Sequence, residues 1–429
     1  MTELDAGALA GVRVLEVGTH IVGPYCAQNL ADLGAEVVKI EAPGGDATRR
    51  LAGFAPNESK LFHTLNRGKR SVVLDLRQEA AREALRRLTP GFDVFVINAR
   101  PGVPQRLGID YETLRGLRED LIYVEHTSYG TRGPDAQKPG GDVVIQAYTG
   151  LMAAESKIDE FGAPQRMSST VLSDYAGGIA GAMGVCAALF RRERTGRGQY
   201  ISAPLVAAAA SFLSYYVSRL PAVDAVTSGP MLERVRAVRE AGGGYREILE
   251  TRGLQVLTQN AAGLLYTNGY PVRDGAIVLG AVSAENRDQI RAALGIEDDP
   301  TADPDFNALD PDNWPVIEQV RERIRSVMRE RTMDEWMEAL DAAGAPASRV
   351  NLPEELADEP QLEALGLLLD LEHELTGPER MVGALVEMSE SATGARRAAP
   401  PLGRDTVEVL TEAGFSATEI EALTQAARA

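Results

Sequence analysis

The chain has 429 residues, 44% of them hydrophobic, and a formal net charge of -18. That length and apolar content suffice for a large core and predict more than one domain. The acidic balance argues against nucleic acid as a partner, because phosphate-backbone binding needs a basic face that displaces counterions.

The opening MTELDAGALAG lacks the basic start and apolar run of a secretory signal. VRVLEVG, the helical PYCAQNLADLGA and EVVKIEAP then form a βαβ unit, and RSVVLDL, REALRRL and DVFVINA repeat the alternation before YETLRGLRED leads into LIYVEHTSYG. Strands alternating with helices over the first ~150 residues predict a doubly wound α/β domain of Rossmann type. Asp174 opens the apolar run YAGGIAGAMGVCAALF, TGRGQ makes a turn, and YISAPLVAAAASFLSYYV resumes the apolar pattern, either as a second helix or as a strand plus helix. No charge occurs from Gly198 to Ser218, but the Ala- and Ser-rich centre with Pro204 predicts a buried core helix and no membrane span. Residues 221–259 read as a polar crossing segment with one helix. A second α/β stretch starts near Ala276, residues 298–312 read as an acidic surface loop, and a long charged helix beyond it stops at GAPASRV. The tail predicts a helical hairpin.

Cys26 and Cys186 are the only cysteines, so no disulfide framework or paired-thiolate metal site is expected, and a reducing cytoplasm fits. His20, His63, His126 and His373 are scattered without metal-ligand spacing. Against the acidic background, Arg49, Arg50, Lys60, Arg67, Lys69, Arg70, Arg100 and Arg106 concentrate between positions 49 and 106. NRGKRS precedes a strand, where Lys69 and Arg70 have the chemistry to meet phosphate; solvated surface charge is the plainer reading. Asp174 precedes an apolar helix and Gly177-Gly178, where backbone N–H groups converge and a substrate can approach closely, although Asp is also an ordinary helix cap. Asp142 of GGDVVIQA enters another strand or helix and could equally be a cap. Glu41 ends the second strand where a ribose-binding acid would sit, but Gly18 and Gly23 do not make the GxGxxG pattern.

Taken in order, LAGVRVLEVG, GPYCAQNLADLGAEVVKIEAPGGDATR, NRGKRSVVLDL, DVFVINARPGVPQRLGIDYETL, LIYVEHTSYGTRGP, GGDVVIQAYTGLM, SDYAGG, AALFRRERTGRGQYI, GAPASRV and APPLGRDTVEVL resemble the class III CoA-transferase family. That family includes formyl-CoA and carnitine CoA-transferases and α-methylacyl-CoA racemases. The resemblance implies that Asp174 is the catalytic carboxylate, that Lys69, Arg70, Asn98, Arg106 and Arg49 contact CoA, and that Asp142 neighbours the reacting centre. It implies transfer of CoA between an acyl-CoA and a free carboxylic acid, with no metal or cofactor besides CoA. Gly242, Gly243 and Gly244, or alternatively Gly263, are the candidates for a glycine-rich loop over the site. The implied fold is an interlocked homodimer with a large Rossmann-like domain and a smaller α/β domain: residues 1–220, then linker and small domain 221–325, then 326–429 returning to the large domain. Three departures shape the expectation. Gly141 stands where the racemase branch has histidine, which disfavours racemisation unless His126 substitutes; Ala99 replaces an aromatic after Asn98; and Ile21 replaces a glutamine, suggesting a less polar acid.

Overall fold

A computed structural model describes residues 6–167, 169–260, 262–308 and 310–428. Its first compact unit comprises residues 1–157, 165–218 and 357–429, and the second comprises 158–164 and 219–356. The first unit is built on a six-stranded, all-parallel sheet: β1 (Arg13–Val17), β2 (Glu36–Glu41), β3 (Lys69–Val73), β4 (Val94–Ile97), β5 (Ile122–Glu125) and β6 (Gln199–Ser202), in the order β3-β2-β1-β4-β5-β6. The apolar runs VFVI and IYVE are buried along their whole length, as strands covered on both faces must be.

Alternate residues supply the two cores. On one face Leu15, Val38, Phe95 and Tyr123 pack with Leu85 of the helix Glu79–Leu88 and with Val409, Leu410 and Leu423 of the C-terminal helices Thr406–Glu412 and Ala417–Arg428. On the other, Val14, Val37, Val96 and Val124 meet Cys26 and Leu30 of the helix Val22–Asp32 and Ala182, Val185 and Leu189 of the long helix Leu172–Thr195. That long helix has the length and composition to cross a membrane, yet here it packs on the sheet and on the helix Val22–Asp32. After it the chain forms β6 and then a helix at Leu205–Ser211, which is the strand-plus-helix alternative.

The second unit holds an antiparallel sheet of β7 (Thr267–Pro271), β8 (Ala276–Gly280) and β9 (Ala347–Arg349) under the helices Ala284–Leu294, Trp314–Met328 and Met333–Ala342. Tyr266, Tyr270, Ile277, Leu279, Ile324 and Trp336 form its core, so both of the last two helices belong to it, and the chain re-enters the first unit at 357 instead of 326. The long charged helix read from the sequence is two helices, because Thr332 and Glu335 form a reciprocal capping box that starts a new one. Residues 221–259 are likewise more helical than expected, with helices at Pro221–Asp224, Ser228–Glu240 and Tyr245–Asn260. An antiparallel hairpin, β10 (Leu368–His373) with β11 (Gly377–Val382), belongs to the first unit.

Candidate active site

Two helix starts meet around a pair of carboxylates. Asp142 is the first residue of the helix Asp142–Thr149, and Asp174 lies in the first turn of Leu172–Thr195. The long helix has no cap from its own N-cap residue, Val171. Instead Asp142 Oδ1 accepts from the Ser173 N–H at 2.9 Å and from the Ser173 hydroxyl, while Gln146 Nε2 donates to Asp142 Oδ2. Gln146 Oε1 also accepts from Met167 N at 3.1 Å, tying in the segment that enters the helix. Asp142 thus caps a helix 31 positions along the chain, which local sequence cannot show. Asp174 receives no hydrogen bond and no cation among the described residues. Burial first, and the Asp142 charge second, push its carboxyl up to about 7. Asp174 is therefore an under-solvated carboxylate whose charged form is disfavoured by its surroundings.

Small residues let the rest of the site close around it. A Cβ at Gly178 would lie 3.1 Å from the Val22 carbonyl oxygen and the Cys26 nitrogen, so the long helix approaches the backbone of Val22–Asp32 directly. The same approach seats Tyr175 against Tyr25, edge to face with centroids 4.6 Å apart. Further along, Gly181 lies over His126: a Cβ there would be 2.5 Å from the imidazole. His126 is buried, its Nδ1 donates to Ala203 O at 3.0 Å, and burial lowers it to about 4. Since Gly181 is about 10 Å along the helix axis from Asp174 at ~1.5 Å per residue, this ring is no proton partner for that carboxylate.

A cleft of about 610 Å³ lies at the carboxyl ends of β1–β3, lined by Val17 to Thr19, Ile40 to Asp46, Leu74 to Arg77, Val103, Arg106 and Leu107. The strand order reverses between β1 and β4, the place where open parallel sheets bind ligands. Arg77, largely exposed beside Asp75, and the exposed Arg106 supply its cations. The β1–helix loop forms one wall and leads to Val22, which packs on Gly177 of the long helix, so cleft and carboxylate share one short segment. Asn98 fixes that loop: its Oδ1 accepts from Thr19 N at 2.8 Å and its Nδ2 donates to Thr19 O at 2.7 Å.

Three expected CoA contacts are engaged by protein partners. Lys69 is buried, and all three of its protons are engaged by Glu16 at 2.8 Å, Pro24 O at 2.7 Å and Asn66 at 2.9 Å. Burial depresses it to about 8, with Glu16 opposing and Lys39 adding to the fall. Arg70 is held by Glu36 at 2.9 Å and by Glu412 at 2.8 Å. Arg49 is fully buried, forked onto Glu41 through two 2.8 Å bonds, with Phe62 3.5 Å from its carbon. Lys69 has no donor left for phosphate, and the guanidinium groups of Arg49 and Arg70 are charge-paired with carboxylates. Arg77, which the sequence reading missed, lines the cleft and is forked onto Asp75 at 2.8 and 2.9 Å; the carboxyl-end rule applied to RSVVLDL would have singled it out.

The glycines expected as a loop over the site, Gly242, Gly243, Gly244 and Gly263, lie in the second unit. Gly242 to Gly244 connect the helices Ser228–Glu240 and Tyr245–Asn260, and a Cβ at Gly243 would be 2.5 Å from Val238 and 2.6 Å from Glu247. These glycines are explained by the tight helix–helix reversal. Gly263 opens a 3-10 turn, Gly263–Leu265, in the same unit.

The fold also brings together histidines that the sequence scatters. His63 lies between Glu58 at 2.8 Å and Glu379 at 2.7 Å, and stacks on His373 with centroids 4.3 Å apart. Burial alone would lower His63, but Glu379 and Glu58 outweigh it and hold it at about 9, so the ring carries both protons. Glu58, His63 and His373 bring ligand atoms within 4.8 Å of one another, and with both ring nitrogens protonated His63 donates to the two carboxylates beside it.

Residues 9–406 match the family model described as CoA-transferase family III. The chain is 29% identical over 426 residues to an acyl-CoA transferase of Fusarium pseudograminearum, covering 96% of this chain and 86% of that one. It is 30% identical over 417 residues to the human alpha-methylacyl-CoA racemase, covering 96% and 95%. A crystal structure of a CAIB/BAIF family protein from Brucella suis superposes with a TM-score of 0.72 at 25% identity, covering 95% of this chain and 100% of that one. The chain belongs to CoA-transferase family III.

Proposed function

We propose that this enzyme moves coenzyme A between an acyl-CoA and a free carboxylic acid, with Asp174 as the covalent relay. The observation that carries this reading is the Asp174 carboxyl itself, without a cation and raised to about 7 by burial and by Asp142. Such an anion is an adequate nucleophile toward a thioester held against it. Its oxygen attacks the acyl carbonyl, the C–S bond breaks, and CoA leaves as thiolate, giving an aspartyl anhydride. The thiolate attacks the aspartyl carbonyl and expels the donor acid. The acceptor carboxylate then displaces CoA from the aspartyl thioester, and the thiolate takes up the new acyl group from the second anhydride, freeing Asp174. The activated acyl bond is conserved at each step, so the exchange needs no ATP, metal or further cofactor. Asp142 fixes the helix start and keeps the neighbouring charge high in energy.

In this reading the Rossmann-like cleft at β1–β3 takes the nucleotide end of CoA, with Arg77 and Arg106 as phosphate partners and Asn98 shaping the loop between cleft and carboxylate. We place the enzyme in the cytoplasm as an interlocked homodimer. Phe212, Tyr215, Tyr216 and Val217 leave an apolar run exposed on a single chain, which supports a partner subunit there.

Racemisation at the α-carbon is the second reading, favoured by the 30% identity to the human racemase. It needs a base opposite Asp174; position 141 is glycine, and His126 is walled off behind Gly181. Incubating the protein with acyl-CoAs and free acids in heavy water, read by mass spectrometry, separates the two. Exchange of CoA between acids is the expected result; deuterium at the α-carbon without exchange would establish racemisation instead.

A further inference from the structure

A second, larger cleft of about 1360 Å³ starts at the Tyr25–Tyr175 pair, beside Asp174 in sequence, and runs between the helix Lys60–Asn66 and the β10–β11 hairpin. We infer that this cleft takes the hydrocarbon part of a bulky apolar acid, with Leu51, Phe54 and Leu61 on one wall and Met381, Val382 and Leu385 on the other. The inference rests on the reading of Asp174 as the acyl acceptor and adds to it the class of acid.

Two observations carry it. Leu51, Phe54, Val382 and Leu385 are each about half exposed, at 51%, 58%, 52% and 49%, and all four line this one concavity. Large apolar side chains left open in a concave site mark an apolar ligand. The charged groups on the same walls are already committed to one another. His63 sits between Glu58 and Glu379, Arg67 is bonded to Asp32, and Arg380 is bonded to Asp370 and Glu363. Lys60 is the one lining cation without a carboxylate partner among the described residues, and it is exposed. The walls therefore offer a long apolar chain a place to be buried and give a second carboxylate no prepared partner inside. The volume exceeds the roughly 300–1,000 Å³ of ordinary small-molecule pockets and leaves ample room for a long acyl chain.

The test is calorimetric titration of the full-length Asp174→Ala protein with butanoate, hexanoate, octanoate and the dicarboxylate suberate. We expect affinity to rise roughly fourfold per added methylene among the monocarboxylates. Leu51→Gln and Phe54→Gln change exposed residues; each is expected to weaken octanoate at least fivefold, on the scale of ~1 kcal/mol for lost apolar contact, with butanoate and the melting temperature nearly unchanged. Affinity independent of chain length would overturn the inference. So would suberate binding more tightly than octanoate, which would give the cleft to a diacid through Lys60. Dissociation of an oligomer by Phe54→Gln with octanoate binding intact would make the cleft a subunit contact and overturn it equally. Because binding is read without Asp174, a wild type that binds octanoate in this way but exchanges no CoA defeats the transfer reading alone. Exchange among short acids with flat affinity defeats the cleft alone.

Discussion

Two groups of carboxylates drawn away from water meet contrasting surroundings. Under β1–β3, Glu16 meets Lys39 at 2.7 Å and Lys69 at 2.8 Å, Asp46 meets Lys39 at 3.0 Å, and Glu41 meets Arg49 at 2.8 Å. Burial pushes Lys39 down, but Glu16, Asp46 and Glu41 outweigh it and keep it raised. At the start of the long helix, Asp142 is given only hydrogen-bond donors and Asp174 is given none. Paired charge holds three strands and the loop above them in place, whereas the charge at the long helix is left unpaired, as the proposed relay requires. Polar groups buried without partners cost stability, and such a cost persists where chemistry uses it.

Removing either kind of charge should therefore have opposite effects. Asp174→Ala should abolish CoA transfer by roughly ten-thousandfold, the scale seen when a covalent nucleophile is lost. The same change should raise the melting temperature at pH 8, because a carboxyl raised in the fold is penalised once it ionises; a calorimetric scan checks this. Lys69→Met should do the reverse. It strands one Glu16 oxygen in a dry site, a loss of ~3–5 kcal/mol in urea denaturation, while CoA affinity per folded molecule stays unchanged.

Smaller effects sharpen the contrast. Arg77→Ala and Arg106→Ala should each weaken CoA binding about tenfold, the value of a charge-assisted phosphate contact, without moving the melting temperature. In wild type, kcat/KM should fall on the acid side with a midpoint near 7, where Asp174 takes up its proton, and Asp142→Asn should move that midpoint to lower pH by removing the like charge. His63 gives a signal confined to stability and its dependence on pH. Its proton is held to about 9 in the fold against an ordinary 6.5, so its stabilisation is fully present below about 6.5 and is lost as pH rises through about 9. His63→Gln should flatten the decline of melting temperature over that window.

The parallel sheet was readable because VRVLEV, EVVKIE and VFVI carry their burial in their own composition, and the resemblance pointed to Asp174 through the SDYAGG segment. The partners of charges were not readable. Lys69 and Glu16 lie 53 positions apart, and Arg70 and Glu412 lie 342 apart; only the register of β2 with β1 and β3, and the return of the C-terminal helix, bring them together. A run of basic residues thus looked like a phosphate site when half of it, Arg49, Arg67, Lys69 and Arg70, is paired with carboxylates. The cap that Asp142 gives to Ser173 was hidden for the same reason, as was the stacking of His63 on His373. Helix breaks also escaped, since Ser228–Glu240 and Tyr245–Asn260 are separated only by a glycine turn within mixed-charge sequence.

The most direct measurement is mass mapping of the enzyme quenched during turnover with an acyl-CoA, with and without hydroxylamine. We expect the peptide containing Asp174 to carry a CoA or acyl adduct that hydroxylamine converts to the hydroxamate at that residue. An unmodified Asp174 in an enzyme that is exchanging CoA at full rate would contradict the covalent relay.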